Sequence, residues 1–241
     1  WFSKSAEQGN NQAQYALGTL YELGLGVKKN YKKAYEWFSK SAEQNNVAAQ
    51  YKLGVLYSQG WGVRKSASQA FKWFQKAADQ GFVYAQYNLA VFYRTGKGVR
   101  RNYKKALEWF TKAAKQNSSQ AQMVVGTIYA SGRGVKRNYT KAREWFLKAA
   151  EAKNPIAQYN LAVLYRMGKG VRRDAVKAYV WFALSYQNGP HKATKRFRNS
   201  TYRILSKKKR KIADELYKDY QATYAKTGSK MSPPPGDPVK P

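Results

Sequence analysis

The chain has 241 residues, no cysteine, one histidine and seven tryptophans, and 45 Lys plus Arg against 13 Asp plus Glu give a formal charge of +32. The lack of cysteine excludes disulfides, thiolate nucleophiles and Cys-based zinc sites, and one histidine cannot build a His-rich metal centre. We therefore expect neither a metal nor a cofactor. The 43% hydrophobic content predicts a folded chain, and no apolar stretch approaches the roughly 18 residues that span a bilayer.

Six of the seven tryptophans recur at a period of 36 residues. Each of the six is followed by Phe, and each after the first has Ala three residues before it. They are Trp1, Trp37, Trp73, Trp109, Trp145 and Trp181. A repeat of this length predicts stacked helical units that bury a continuous core, and we expect the Trp-Phe pairs to contribute to that core.

Each repeat contains two predicted helices. In the first, helix A, the apolar positions 13, 17, 20 and 21 have the spacing of one helical face, and position 18 stays small, as Gly or Ala, where helices could approach closely. A Gly-x-Gly-Val segment then ends the helix and reverses the chain. The second helix, helix B, carries the Trp-Phe pair and follows an oxygen-bearing N-cap at Asn30, Ser66, Asn102, Asn138 and Asp174.

The repeat reads A-Q-x-x-L-G-x-x-Y-x-x-G-x-G-V-x-x-N-Y-x-K-A-x-x-W-F-x-K-A-A and resembles the Sel-one-like repeat family, a relative of the tetratricopeptide repeat. The resemblance implies an all-α fold, a right-handed α/α superhelical solenoid that serves as a protein-binding scaffold. Departures are mild: Ala67 and Ala175 replace the Tyr after the N-cap, and Lys153-Asn154-Pro155 replaces a simple Gly turn.

The chain divides into four predicted segments. Residues 1–9 are the C-terminal half of a truncated repeat, which suggests a fragment of a longer protein, and residues 10–189 are five repeats. Residues 190–227 are basic amphipathic helices that cap the last repeat, because solenoid ends need such covers. Residues 228–241 are a Pro-rich tail that we expect to be disordered.

Catalytic signals are weak. The Gly-x-Gly segment joins two helices and lacks the third glycine of a dinucleotide fingerprint, and His191 has no evident partner. Cysteine-rich relatives in the family have been associated with β-lactam binding or hydrolysis, and Ser206-x-x-Lys209 fits the S-x-x-K pattern without its companion motifs. Glu36, Glu108 and Glu144 precede Lys40, Lys112 and Lys148 by four residues and predict surface ion pairs. We expect no enzyme activity; a β-lactamase-like activity is the remote alternative.

Some helix A positions vary freely from repeat to repeat. The resemblance implies that helix A lines the concave side of the solenoid, so these positions are candidates for contact with a partner protein or peptide. They include Lys52, Tyr84, Asn88, Arg94, Asn160 and Arg166. The alternative is that they are unconstrained solvent positions.

Two cations follow every Gly-x-Gly-Val segment. The pairs are Lys28-Lys29, Arg64-Lys65, Arg100-Arg101, Lys136-Arg137 and Arg172-Arg173. Stacked repeats would align them as a basic ridge, and cations beside free N–H groups at a helix N-terminus favour anions. The alternative is that they only solvate the loops.

Two functions follow. The first is a non-catalytic scaffold or adaptor that binds a partner protein or peptide in the groove, with the basic surface favouring acidic partners. The second is a polyanion binder that uses the loop ridge and the basic run after Ser206 on nucleic acid, acidic glycan or an anionic membrane surface, without sequence specificity. The resemblance leaves open whether the protein is exported from a bacterium or resides in the endoplasmic reticulum.

Overall fold

The computed structural model describes residues 2–227, which form thirteen α-helices and no strand. The predicted tail, residues 228–241, lies outside the described residues. The helices are α1 Phe2–Glu7, α2 Asn11–Leu23, α3 Tyr31–Glu43, α4 Val47–Gln59, α5 Ala67–Asp79, α6 Val83–Thr95, α7 Tyr103–Lys115, α8 Ser119–Ser131, α9 Tyr139–Glu151, α10 Pro155–Met167, α11 Ala175–Asn188, α12 Lys192–Arg203 and α13 Lys207–Thr227.

From α2 to α11 the helices alternate between helix A, with even numbers, and helix B, with odd numbers. The chain divides into two compact units, residues 1–116 and 117–241. In the first, each helix from α1 to α7 packs on the next in the sequence. In the second, α8 to α11 pack in the same order, and both α12 and α13 pack on α11. The predicted α/α repeat architecture is confirmed in each unit.

The connection from helix A to helix B has the predicted caps. At the end of α2, Gly24 has a left-handed conformation with φ of 76°, and its N–H donates to the Leu20 carbonyl. The side chain of Asn30 accepts from the backbone N–H of Lys33, and its own N–H donates to the carbonyl of Tyr21 at 2.8 Å. Because the same bonds recur in the other repeats, the loop holds each helix pair at a fixed register.

The Phe of each described Trp-Phe pair is buried in the core of its hairpin. Phe38, Phe74, Phe110, Phe146 and Phe182 are each at most 2% exposed. A Cβ added at Gly18 would lie 2.7 Å from the Phe38 ring, so the small residue at this position makes room for the ring, as its size predicted. In contrast, Trp109 is only partly buried.

Trp181, in the last repeat, is the buried exception, because Tyr220 of α13 covers it with a ring distance of 5.4 Å. The other described members of the series, Trp37, Trp73, Trp109 and Trp145, are only partly buried, and Trp37 and Trp73 pack against core residues. The residue before the Phe points one helical step of about 100° away from it, toward the rim of the helix pair.

Four helix B lysines, three of which were predicted to pair with glutamates, lie over these indole rings. The Nζ atoms of Lys40, Lys76, Lys112 and Lys148 are 3.8 to 4.8 Å from the ring centroids of Trp37, Trp73, Trp109 and Trp145. The predicted Glu36–Lys40 type of ion pair is therefore wrong. Trp and Lys are three residues apart and share a helix face, and the ring attracts the ammonium at close range.

The helices α12 and α13 cover the end of the last repeat. Phe197 of α12 stacks on Phe182 with a centroid distance of 5.7 Å, and Ala213 of α13 is fully buried. Leu216 packs against the same core, whereas Ile212 stays 45% exposed. This region caps the repeats, as its amphipathic pattern predicted.

Candidate functional site

The candidate site combines the variable face of helix A with the basic loops that follow it. Lys52, predicted to contact a partner, instead donates to the Glu22 carboxylate at 2.6 Å and links α4 to α2. Burial raises the pKa of the Tyr51 phenol, and the neighbouring Asn88 side chain partly offsets this shift. The side chains of Lys52 and Asn88 are half-buried, so each already makes contacts within the protein.

Tyr84 is the most exposed of the large hydrophobic residues on α6, at 63%. Its ring lies 5.6 Å from that of Phe82 and 6.1 Å from that of Tyr51. These three rings form an open aromatic surface in the first unit. Sequence comparison of the repeats selected Tyr84 but not Phe82, which occupies the N-cap position of α6 and has no side-chain cap bond.

The two predicted arginines pack on aromatic rings. The guanidinium carbon of Arg94 lies 5.5 Å from the Phe110 ring centroid, and that of Arg166 lies 5.1 Å from the Phe197 ring centroid. Both arginines and Asn160 are half-buried. Their ring contacts fix the direction of the arginine side chains and leave guanidinium edges for other hydrogen bonds.

All ten predicted loop cations are exposed. The backbone fixes the second cation of each pair: a Cβ added at the C-cap glycine would lie 3.1 to 3.3 Å from the Cβ of that cation. The cations of each loop therefore leave the backbone at the same place in every repeat. They are Lys28, Lys29, Arg64, Lys65, Arg100, Arg101, Lys136, Arg137, Arg172 and Arg173.

The helix N-termini next to these cations are less accessible than predicted. A Cβ added at Gly62, where φ is 68°, would lie 2.2 Å from the Tyr31 carbonyl oxygen and 2.6 Å from the Lys32 amide nitrogen. The loop of one repeat therefore covers the first turn of the preceding helix B. Gly98 and Gly170 do the same to α5 and α9. The N–H groups at these three helix starts therefore have less room for an anion, and their part in anion binding stays a prediction.

The Tyr after the N-cap connects the basic loops. The ring of Tyr139 has Arg137 on its own loop at 5.5 Å and Lys169 from the following loop at 5.3 Å. Tyr31 has Lys29 at 4.8 Å and stacks on Trp61 of the following loop at 5.1 Å. A tyrosine at this position therefore fills the space between two successive loops.

A cavity of about 660 Å³ opens where Ala67 replaces that tyrosine. Lys65 and Lys97, from the two successive loops, line it together with Asn88 of helix A. Apolar walls come from both helices A, and no Asp or Glu is among the lining residues. In the first unit, the basic loops and the helix A face thus meet at one concave site, which lies within the size range of ligand pockets.

A second cavity, of about 590 Å³, lies at Ala175, where the tyrosine is also missing. Arg172 and Arg173 line it, and α13 contributes Lys209 and Ile212. The last loop pair and the basic run after Ser206 are therefore neighbours in the second unit. The sequence placed Lys209 in the basic run after Ser206, but it could not show that Lys209 lies near Arg172 and Arg173, which are more than 30 residues away in the chain.

The two residues considered for catalysis act as helix caps. His191 Nδ1 accepts from the Ala193 N–H at 3.2 Å, and Ser206 Oγ accepts from the Lys209 N–H at 3.4 Å. Within residues 2–227, no group of three or more His, Asp or Glu side chains is placed to hold a metal ion. Over the same residues, no helix is both long and apolar enough to cross a bilayer.

The repeated α/α hairpins and their caps define an α-solenoid protein of the tetratricopeptide-like class. A family model described as Sel1 repeat matches residues 1–10, 11–46, 47–82, 83–118, 119–154 and 155–190. The chain belongs to the Sel1 repeat family, as its repeat motif indicated. The fold of this family is consistent with protein–protein interaction.

Solved structures of other proteins have the same repeat fold. A Sel1 repeat protein from Oxalobacter formigenes is 33% identical, with 88% of this chain and 89% of that chain covered and a TM-score of 0.77. A Sel1 repeat protein from Klebsiella pneumoniae is 24% identical over 83% of this chain and 97% of that chain, with a TM-score of 0.50. An immunity protein from Pseudomonas aeruginosa is 20% identical over 93% of this chain and 89% of that chain, also with a TM-score of 0.50. A comparison with curated proteins gave no match.

Proposed function

We propose that this protein is a non-catalytic scaffold that binds acidic segments of a partner protein on its helix A face. The observation that carries this proposal is the cavity at Ala67, where Lys65, Lys97 and Asn88 surround one concave site without an acidic neighbour. Proteins of the Sel1 repeat family are generally non-catalytic scaffolds, which supports a binding role.

Electrostatics favours acidic partners. The chain has a formal charge of +32, and Glu22, an acid on the helix A face, is already paired with Lys52. A field of one sign attracts oppositely charged segments and raises their association rate, and the effect falls as salt screens it. Asn88 lines the cavity, and Arg94 lies over the Phe110 ring. Both side chains are half-buried and offer hydrogen bonds to an extended peptide backbone.

The test is the affinity of the full chain for an Asp/Glu-rich peptide, measured by fluorescence anisotropy from low to physiological salt. We expect the double variant Lys65→Glu, Lys97→Glu to lose most of the binding. Lys72→Glu is the matched control, since Lys72 is exposed on α5 and does not line the cavity. Equal affinity of the double variant and the control would contradict the proposed site.

The second candidate function is binding of a polyanion through the basic loops. It is favoured by the cavity at Ala175, where Arg172, Arg173 and Lys209 converge. Binding of heparin or duplex DNA should then weaken with salt by a slope that counts the contacts, about −0.9 per phosphate for duplex DNA. Replacement of Arg172 and Arg173 by Glu should reduce that slope. An unchanged slope would show that this loop does not contact the polyanion.

A further inference from the structure

The cavity at Ala67 is shaped by the absence of one aromatic ring. Ala67 stands where Tyr31, Tyr103 and Tyr139 stand in other repeats. Two cations lie over the ring of Tyr139. Arg137, the second cation of its own loop, is 5.5 Å from the ring centroid, and Lys169, between the two glycines of the following loop, is 5.3 Å from it. The equivalents of these two cations at Ala67 are Lys65 and Lys97, and both line the cavity.

We infer that this cavity is a specificity pocket that accepts an aromatic side chain of the partner, between Lys65 and Lys97, in the place of the missing tyrosine. This inference rests on the proposed function and names the residue type that the helix A face selects. A ligand ring would recover the contacts that the repeat makes internally elsewhere, with two cations within about 6 Å of its face.

The walls of the pocket suit a ring. Val55, Val91 and the rings of Phe74 and Phe92 supply apolar surface, and Tyr51 closes one side. Aromatic pairs at centroid separations of 4.5–7 Å add attraction beyond the burial of area. Phe74 is already engaged this way with Tyr51 at 5.8 Å and with Phe92 at 5.4 Å, so the ligand ring would extend an existing aromatic cluster.

The charge around the pocket selects what flanks the ring. Lys65 and Lys97 are both exposed, and no carboxylate lines the cavity. Carboxylates next to the aromatic residue would pair with these ammonium groups while the ring is buried between their stems. The preferred ligand is therefore a Tyr, Phe or Trp flanked by Asp or Glu, and not an acidic run alone.

The decisive variant restores the repeat pattern. Ala67→Tyr should fill the pocket with the side chain found at three equivalent positions, and so should keep the fold while blocking the ligand ring. The probes are two acidic peptides of equal charge, one with a central tyrosine and one with cyclohexylalanine there. We expect the wild-type chain to prefer the tyrosine peptide by about tenfold, the range of a desolvated cation–π contact, and Ala67→Tyr to abolish the preference.

Ser68→Tyr is the matched control, because Ser68 is the exposed neighbour that does not line the cavity. It should keep the preference for tyrosine. Equal affinity of the wild-type chain for the two peptides, or an undiminished preference in Ala67→Tyr, would overturn the aromatic pocket. If both peptides still bind in a salt-dependent way, the acidic-segment scaffold stands without the pocket; if neither binds, the proposed function fails as well. Circular dichroism and thermal unfolding verify that each variant is folded.

Discussion

The ammonium of Lys52 lies 2.6 Å from a carboxylate oxygen of Glu22, and this ion pair joins the helices A of two successive repeats. Glu22 is only 7% exposed, so its carboxylate has lost most of its contact with water. Because the two residues are 30 positions apart, the pair acts between repeats and not within one helix. The helix A face therefore contributes to the stacking of repeats as well as offering a surface for a partner.

Removal of the lysine should destabilise the first unit. Lys52→Ala leaves the buried Glu22 carboxylate unpaired, and we expect a loss of about 1–3 kcal/mol in the free energy of unfolding, measured with urea. Lys72→Ala, on an exposed position of α5, should change it by less than about 0.5 kcal/mol. A Glu22→Gln, Lys52→Met double-mutant cycle isolates the pair; a coupling energy near zero would show that the contact contributes nothing.

The Phe of each Trp-Phe pair should matter more than the Trp. Phe110 is fully buried, whereas Trp109 is partly exposed under Lys112, whose Nζ lies 3.8 Å from the ring centroid. We expect Phe110→Ala to cost about 3–5 kcal/mol of unfolding free energy and Trp109→Ala clearly less. Equilibrium denaturation of the two variants in parallel gives the comparison, and the opposite order would place the Trp at the core.

The second glycine of the loop should be required where the loop packs on the preceding helix B. Gly62 and Gly81 both have positive φ, 68° and 87°, but a Cβ at Gly62 would overlap the Tyr31 carbonyl and a Cβ at Gly81 would meet nothing within 4 Å. Gly81→Ala should cost only the conformational strain of about 1–2 kcal/mol, and Gly62→Ala about 1–3 kcal/mol more. Thermal unfolding checks this order; equal losses would mean that the loop moves aside freely.

Stability should fall at alkaline pH through one inter-helix contact. Burial, and next the hydrogen bond with Tyr35 at 2.9 Å, raise the pKa of Tyr57 to about 12 from its ordinary value of 10.0. A pKa that is higher in the folded state favours folding while the phenol is protonated. This contribution is complete below pH 10 and is lost between about pH 10 and 12.

The measurement is the urea midpoint of the wild type and of Tyr57→Phe across that range, with tyrosinate absorbance reporting the titration. The wild type should lose stability more steeply than the variant, because phenylalanine has no proton to release. Parallel pH profiles would contradict the raised pKa of Tyr57.

The repeat, its helices and their caps could be predicted from the sequence, because these features depend on local chemistry. Asn30 caps α3 through a residue three positions away, and Gly24 ends α2 through its own backbone conformation. The 36-residue period then leaves one solution, stacked hairpins, because a single hairpin cannot bury its apolar face. The same regularity predicted the exposed cation pairs.

What only the tertiary structure decided is which side chains meet between repeats. The sequence could not show that Lys52 is already paired with Glu22, or that Gly62 covers the first turn of α3. Nor could it show that replacing a tyrosine by Ala67 opens a cavity where the basic loops and the helix A face meet. Local propensity fixes the helices, but contacts between residues 30 or more positions apart depend on how one hairpin stacks on the next.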